Sequence, residues 1–565
     1  MLRQIIILLF LVLLTNSLPQ QSYERNRDLI VTLHHGGKVR GEEILLAPTS
    51  TKKLFSFKGI PYATPPVGKL RFKNPQPHPG WHGIRNATEH GNVCVQIPAF
   101  LRIDVVGSED CLFLNVYTPP NINPNKKYPV MFWIHGGGFY GGSGDFDLYG
   151  PEMLVEQEVI VVTINYRLGL LGFFSTNDQA AQGNYGLKDC VEALKWVQKN
   201  IKAFGGDRNR VTIFGQSAGG AAVHYLVLSP MAKGLFHGAI SQSGTALNSW
   251  GHQPFPRKQA FDAANTLNIT FNSSKDLVEQ FRAISDPKVF ATIGISLENL
   301  QTLYLPLTFV PSVEPKDSKE PRFLSETPIK MLQKGKFNKV PIILGATDAE
   351  FLSEIHYHRL NPNLLKKYND DPSFLIPYLW FIEPNSEAAR DIIYNIRKTY
   401  FNNKTEITDI LEFVEFNSDR AFQYSAYKTA SLHAKKQKSP VFQYVFSFDG
   451  TLSWHKQQYL LTDYDGVCHS DDMGYMWTMA KLSCPPKGSP TEKVRQRVVK
   501  MWTDFSKYGH PTPKRTSLIP VKWQTVQFNH EYMDIGQELQ PKIHPFGRRM
   551  TMWKEMDQKW NNNPY

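Results

Sequence analysis

Gly215-Gln216-Ser217-Ala218-Gly219 sets a serine between two glycines in the spacing G-x-S-x-G, directly after the β-branched and aromatic run Val211 to Phe214. Three fixed positions of this kind arise by chance about 0.2 times in a chain this long, so the spacing alone decides little. Its setting adds more, because the helix-compatible run Ala221 to Leu226 follows. Strand, tight turn with serine at the apex, then helix is the setting of a nucleophile elbow. A serine hydroxyl is a poor nucleophile until a base removes its proton, and that base is a histidine steered by a carboxylate. In elbow enzymes the chain order is serine, acid, histidine. His469 fits that order, in the loop-like segment Gly466-Val467-Cys468-His469-Ser470-Asp471-Asp472. For the acid, Asp348 and Glu350 both follow the strand-like Pro341-Ile-Ile-Leu-Gly345, and the residues themselves leave the two open. Acyl transfer also needs N–H donors for the developing oxyanion. Ala218 N–H is one, and His135-Gly136-Gly137-Gly138-Phe139 ends an earlier apolar run with bare glycines whose N–H groups can crowd one point.

The elements that must position these residues are legible as apolar runs. Val130 to His135, Val159 to Ile164, Gly238 to Ser241, Val340 to Leu344 and Val441 to Phe446 read as strands. Gly186 to Ile201 reads as a helix, with Leu187, Val191, Leu194 and Val197 at helical spacing. Val494 to Tyr508 reads as another, ended by Gly509 and Pro511. Alternation of this kind predicts an α/β fold: a large, mostly parallel twisted sheet with helices on both faces. No repeat or linker divides the chain. One domain over residues 18–565 is expected, with long insertions from about 250 to 335 and from 355 to 435 covering the catalytic face.

Met1-Leu2-Arg3-Gln4, the uncharged run Ile5 to Leu14 and the small residues around Ser17 describe a secretory signal peptide, residues 1–17. No later run reaches the roughly 18 apolar residues of a membrane span. The expected location is therefore extracellular. Four sequons agree with that route, at Asn86, Asn268, Asn272 and Asn403. The net charge of +12 comes from scattered Lys and Arg residues with no basic run, which reads as a solvated surface and not a nucleic-acid groove. Of five cysteines, Cys94 and Cys111 lie in one loop-like stretch and are the expected disulfide, worth about 3 kcal/mol by loop closure. Cys190, Cys468 and Cys484 are left, so at least one must be a free thiol. Cys190 reads as a buried small hydrophobe.

The chain resembles the type-B carboxylesterases, the cholinesterase-like α/β-hydrolase family. The blocks that carry the resemblance run nearly end to end: Phe57-Lys-Gly-Ile-Pro-Tyr-Ala63, Pro65 to Phe72, Ser108-Glu-Asp-Cys-Leu-Phe-Leu-Asn115, Asn165-Tyr-Arg-Leu-Gly169, Gly183 to Leu187, Phe204-Gly-Gly-Asp207 and Ser241-Gln-Ser-Gly244. The resemblance implies an α/β-hydrolase fold and a Ser217–His469–Glu350 triad, since the family's acid stands five positions after a glycine, here Gly345. It departs from the family in Ala349 and Phe351, where Asp and Gly are usual. It implies oxyanion donors at Gly137, Gly138 and Ala218, a polar supporting role for Ser243, and the Cys94–Cys111 pairing. It also implies hydrolysis of a small-molecule ester without metal or cofactor, by a monomer or weak homo-oligomer. Val95 to Asp110 contains no Trp, which speaks against choline esters, because the cholinesterases of the family hold the ammonium on a Trp in this loop. Gln216 stands where the family commonly has Glu; insect juvenile hormone esterases resemble the chain in this Gln, and so do other secreted insect esterases. A dedicated juvenile hormone esterase, or a non-catalytic binding protein on the same fold, are the alternatives.

Overall fold

The computed structural model describes residues 29–46, 52–98, 104–296 and 303–561. The expected signal peptide lies outside them. Among the described residues, eleven strands form one sheet in the order Leu539–Ile543, Glu531–Ile535, Val441–Phe446, Ile342–Thr347, Gly238–Gln242, Gly206–Gln216, Tyr128–Ile134, Ile160–Ile164, Phe113–Thr118, Lys53–Pro61 and Glu42–Leu45. The seven strands from Glu531–Ile535 to Ile160–Ile164 run parallel, and antiparallel strands close both edges. Parallel strands covered on both faces read as unbroken apolar runs. Tyr128–Ile134, Ile160–Ile164 and Val441–Phe446 are buried at every residue.

Alternation along each strand sends side chains to two cores. Val130, Phe132, Ile134, Val211 and Ile213 pack with helices Tyr185–Asn200 and Ala218–Leu228. Met131, Trp133, Phe214 and Ile240 point the other way, onto Trp502 and Phe505 of helix Pro490–Tyr508. That helix starts a turn earlier than its apolar pattern suggests. Ser489 accepts the Glu492 N–H at 3.2 Å and Pro490 opens the first turn. Gly509, at φ 68°, ends it.

The first inserted stretch joins the sheet's own core through Trp250, Phe281 and Leu307, whereas much of the second is built apart from it. Residues of helices Glu387–Tyr400 and Ile410–Ser418 form a separate apolar cluster with Met550, Met552, Trp553 and Met556 of the last helix, Arg548–Trp560. The strands Phe113–Thr118 and Lys53–Pro61 are not among those expected from the apolar runs. The second mixes Lys58, Gly59 and Pro61 into its run and carries a bulge between Phe57 and Ile60.

Cys94 and Cys111 are bridged, and Cys190 and Cys468 are buried free thiols while Cys484 is an exposed one. The loop the disulfide closes is anchored again by Glu109, whose carboxylate takes both the Nε and an Nη of Arg71 at 2.7 Å. Two of the blocks that carry the family resemblance thus meet in one buried ion pair. The four sequon asparagines are all exposed, and no helix among the described residues is long and apolar enough to cross a membrane.

Candidate active site

Ser217 sits between the strand Gly206–Gln216 and the helix Ala218–Leu228, with φ 59° and ψ −127°. A non-glycine residue reaches that region only when its surroundings force it there. They do so here on three sides. A Cβ on Gly219 would lie 2.0 Å from the Ile134 carbonyl oxygen, one on Gly215 2.5 Å from the Gly219 carbonyl oxygen, and one on Gly244 2.0 Å from the Ser217 carbonyl oxygen. Bare glycines let these backbones close up, and the turn throws the serine side chain outward at the positive end of an eleven-residue helix.

Glu350 follows the strand Ile342–Thr347 and is 1 % exposed. Its Oε2 lies 2.5 Å from His469 Nδ1, and its Oε1 accepts the Ser243 hydroxyl at 2.6 Å and the Thr347 N–H at 2.8 Å. The His469 N–H in turn donates to the Glu350 carbonyl at 3.1 Å. A carboxylate oxygen can only accept from the imidazole, so this contact fixes the ring with its proton on Nδ1. The Nε2 lone pair then points away from Glu350, and it faces the amide nitrogen of Gln216 at 3.2 Å. Among the described residues, no hydrogen bond joins it to the Ser217 hydroxyl.

Asp348, the other acid open from sequence, does something else. Its Oδ1 accepts the Val467 N–H at 2.8 Å, so it holds the loop on which His469 rides. Burial pushes its carboxyl up to about 6. The same loop is fixed from below by His455, whose Nδ1 lies 2.5 Å from the His469 carbonyl oxygen. Burial drives His455 down to about 3, so it stays neutral and donates.

The glycine turn after strand Tyr128–Ile134 lies against the elbow: a Cβ on Gly136 would stand 2.6 Å from the Gln216 carbonyl oxygen and 3.0 Å from Ser217 Cβ. Gly137 and Gly138 take φ 101° and 61°. His135 holds the base of the turn through Nδ1 to the Gly136 carbonyl at 2.8 Å and stacks on Tyr166 at 4.5 Å. Burial lowers it to about 4, which keeps charge out of the turn. Gly137, Gly138, Ser217, Glu350 and His469 all line one cavity of about 740 Å³. Trp250, Leu303 and Leu307 from the first insertion and Tyr357 and Phe422 from the second complete its walls, so both insertions do cover this face.

The carboxylesterase family pattern matches residues 27–555. The chain belongs to the carboxylesterase family. It is 37 % identical over 499 residues to a juvenile hormone esterase of Tribolium castaneum, covering 85 % of this chain and 83 % of that one. A carboxylic ester hydrolase of Bombus ignitus is 33 % identical over 524 residues, with 90 % of each chain covered. The crystal structure of the juvenile hormone esterase from Manduca sexta, with OTFP covalently attached, superposes with a TM-score of 0.83 at 31 % identity, covering 94 % of this chain and 99 % of that one. The fold is therefore the α/β-hydrolase fold, and the chain is a carboxylic-ester hydrolase.

Three contacts of this carboxylesterase's site have no local sequence signal. Phe422 covers His469 with ring centroids 4.8 Å apart. It is delivered by a short π-helical turn, Asp419–Gln423, wedged between two α-helices. That turn is anchored from the far end of the chain, where Arg549 Nε pairs with Asp419 at 2.8 Å. The third is the Asp348 brace on the histidine loop, which became visible only once the two loops were side by side.

Proposed function

We propose that this carboxylesterase is a secreted serine hydrolase in which Ser217 is the nucleophile, His469 the base and Glu350 the residue that orients it. The observation that carries the proposal is the contact of His469 with the buried Glu350 at 2.5 Å, set in the same cavity as the serine at the turn apex and a glycine turn. The ester carbonyl enters beside Ser217. Gln216 gives up its contact, and His469 Nε2 takes the serine proton as Oγ bonds to the carbonyl carbon. The tetrahedral oxyanion is held by the N–H groups of Gly137, Gly138 and Ala218, which strengthen as charge develops. Collapse expels the alcohol with the proton from His469, and water repeats the sequence on the acyl-enzyme. Residues 1–17 would be removed on export, leaving one catalytic domain over 18–565, with glycans on exposed sequons.

A dedicated juvenile hormone esterase is the narrower reading. It is favoured by relatives so named at 37 % and 34 % identity. Two experiments test these levels separately. An organophosphate should label Ser217 with one equivalent per chain, and labelling elsewhere contradicts the proposal. A panel setting the methyl ester of a long terpenoid acid against short aryl and α-naphthyl esters decides the narrower reading. Selectivity for the short esters sinks it.

A further inference from the structure

Gln96 belongs to the loop closed by Cys94 and Cys111, yet its side chain is spent on the glycine turn of the active site. Its Nε2 donates to the Gly142 carbonyl at 2.9 Å and to the Cys94 carbonyl at 3.1 Å, and its Oε1 accepts the Gly142 N–H at 2.6 Å. The amide therefore pairs with both backbone groups of one residue, as a neighbouring strand would. Gln96 is itself held in place by two-way backbone bonds to Val106, both 3.0 Å, and is 4 % exposed.

Gly142 is the point through which the proposed oxyanion turn is supported. With φ 110°, a Cβ there would sit 2.4 Å from His135 Nδ1 and 2.6 Å from the Gly136 carbonyl oxygen. A Cβ on Gly137 would meet the adjoining Gly141 carbonyl oxygen at 2.2 Å. The turn closes on itself through the Gly141 and Tyr140 N–H groups, each 3.0 Å from the Gly137 carbonyl. Gly141 and Gly142 thus press against the back of Gly136 and Gly137 with no side chain between them. Whatever fixes Gly142 fixes where the Gly137 and Gly138 N–H groups point. Misplacing such donors by about 1 Å costs about 100-fold in rate.

We propose that Gln96 is a positioning residue for the oxyanion donors, through which the disulfide loop supports the chemistry. The inference rests on the assignment of Ser217 and the glycine turn made above. Gln96→Met keeps the length and removes all three hydrogen bonds. Gln96→Glu keeps an acceptor for the Gly142 N–H and turns the donor into a second acceptor facing two carbonyls. Either variant should lower kcat on a short aryl ester about 10- to 100-fold per titratable site, with KM within about threefold, because the donors matter chiefly in the transition state. A trifluoromethyl ketone adds to the serine and places a tetrahedral oxyanion in the same turn. Its affinity should fall by the same factor as kcat/KM, a parallel that a purely structural role would not produce.

If Gln96→Met does not fold, Gln96→Glu carries the test. Unchanged kcat and unchanged ketone affinity in the folded variant overturn the proposal. So does a rise in KM at constant kcat. Failure of the site assignment looks different: the parent enzyme would not bind the ketone, or Ser217→Ala would retain turnover.

Discussion

Replacing Gln216 by Glu puts a carboxylate where a neutral amide now faces His469 Nε2 at 3.2 Å. Two effects act in one direction. The amide nitrogen donates to the Nε2 lone pair, whereas a carboxylate oxygen can only accept, so the new pair is satisfied only when Nε2 carries a proton. The charge itself favours the imidazolium as well. At that separation Coulomb attraction is about 1 kcal/mol in bulk water and about 5 kcal/mol at an effective dielectric of 20. The His469 side chain is 20 % exposed to a water-accessible cavity, which favours the weaker end. At 1.36 kcal/mol per pH unit, the midpoint of the acid limb of the kcat/KM profile should rise by about 1 to 2 units. The assay is hydrolysis of an uncharged aryl ester from pH 5 to 10, so that only the free enzyme titrates. The variant should be slowest relative to the parent below the new midpoint and approach it above. A midpoint that stays within about 0.3 units, or that falls, refutes the reasoning. So does a uniform loss of rate at every pH.

Two further outcomes follow from the acids. Glu350→Gln preserves size but offers His469 an amide, which permits the wrong tautomer. kcat should drop about 10⁴-fold with little change in thermal midpoint, and a loss under tenfold would assign the orienting role elsewhere. Asp348→Asn keeps an acceptor for the Val467 N–H and removes a buried charge. Because burial raises Asp348 to about 6 from an ordinary 3.8, the parent loses stability as pH rises from about 4 to 6. The variant's gain in unfolding free energy over the parent should therefore grow across that window, to about 2–3 kcal/mol, and then level off. A gain that shrinks with rising pH contradicts the linkage.

The central sheet was legible because its strands are buried on both faces and so are written as plain apolar runs. The elbow was legible because each glycine answers a specific backbone approach, at Gly215 to Gly219 and at Gly219 to Ile134. The choice between Asp348 and Glu350 was not. Both leave the same strand end two residues apart, and what tells them apart is the loop at 466–469. That loop lays Val467 against one carboxylate and His469 against the other. The family resemblance supplied what local chemistry could not. Phe422 and its π-helical turn were hidden for another reason. Their placement depends on Arg549, 130 residues on from Asp419, and no local period records a contact of that range.

Ser217→Ala turnover of a simple aryl ester, measured against the parent at equal concentrations of folded protein, tests the account most directly. The account predicts no turnover above the uncatalysed background and no labelling by an organophosphate. Residual turnover within tenfold of the parent would mean that another residue is the nucleophile.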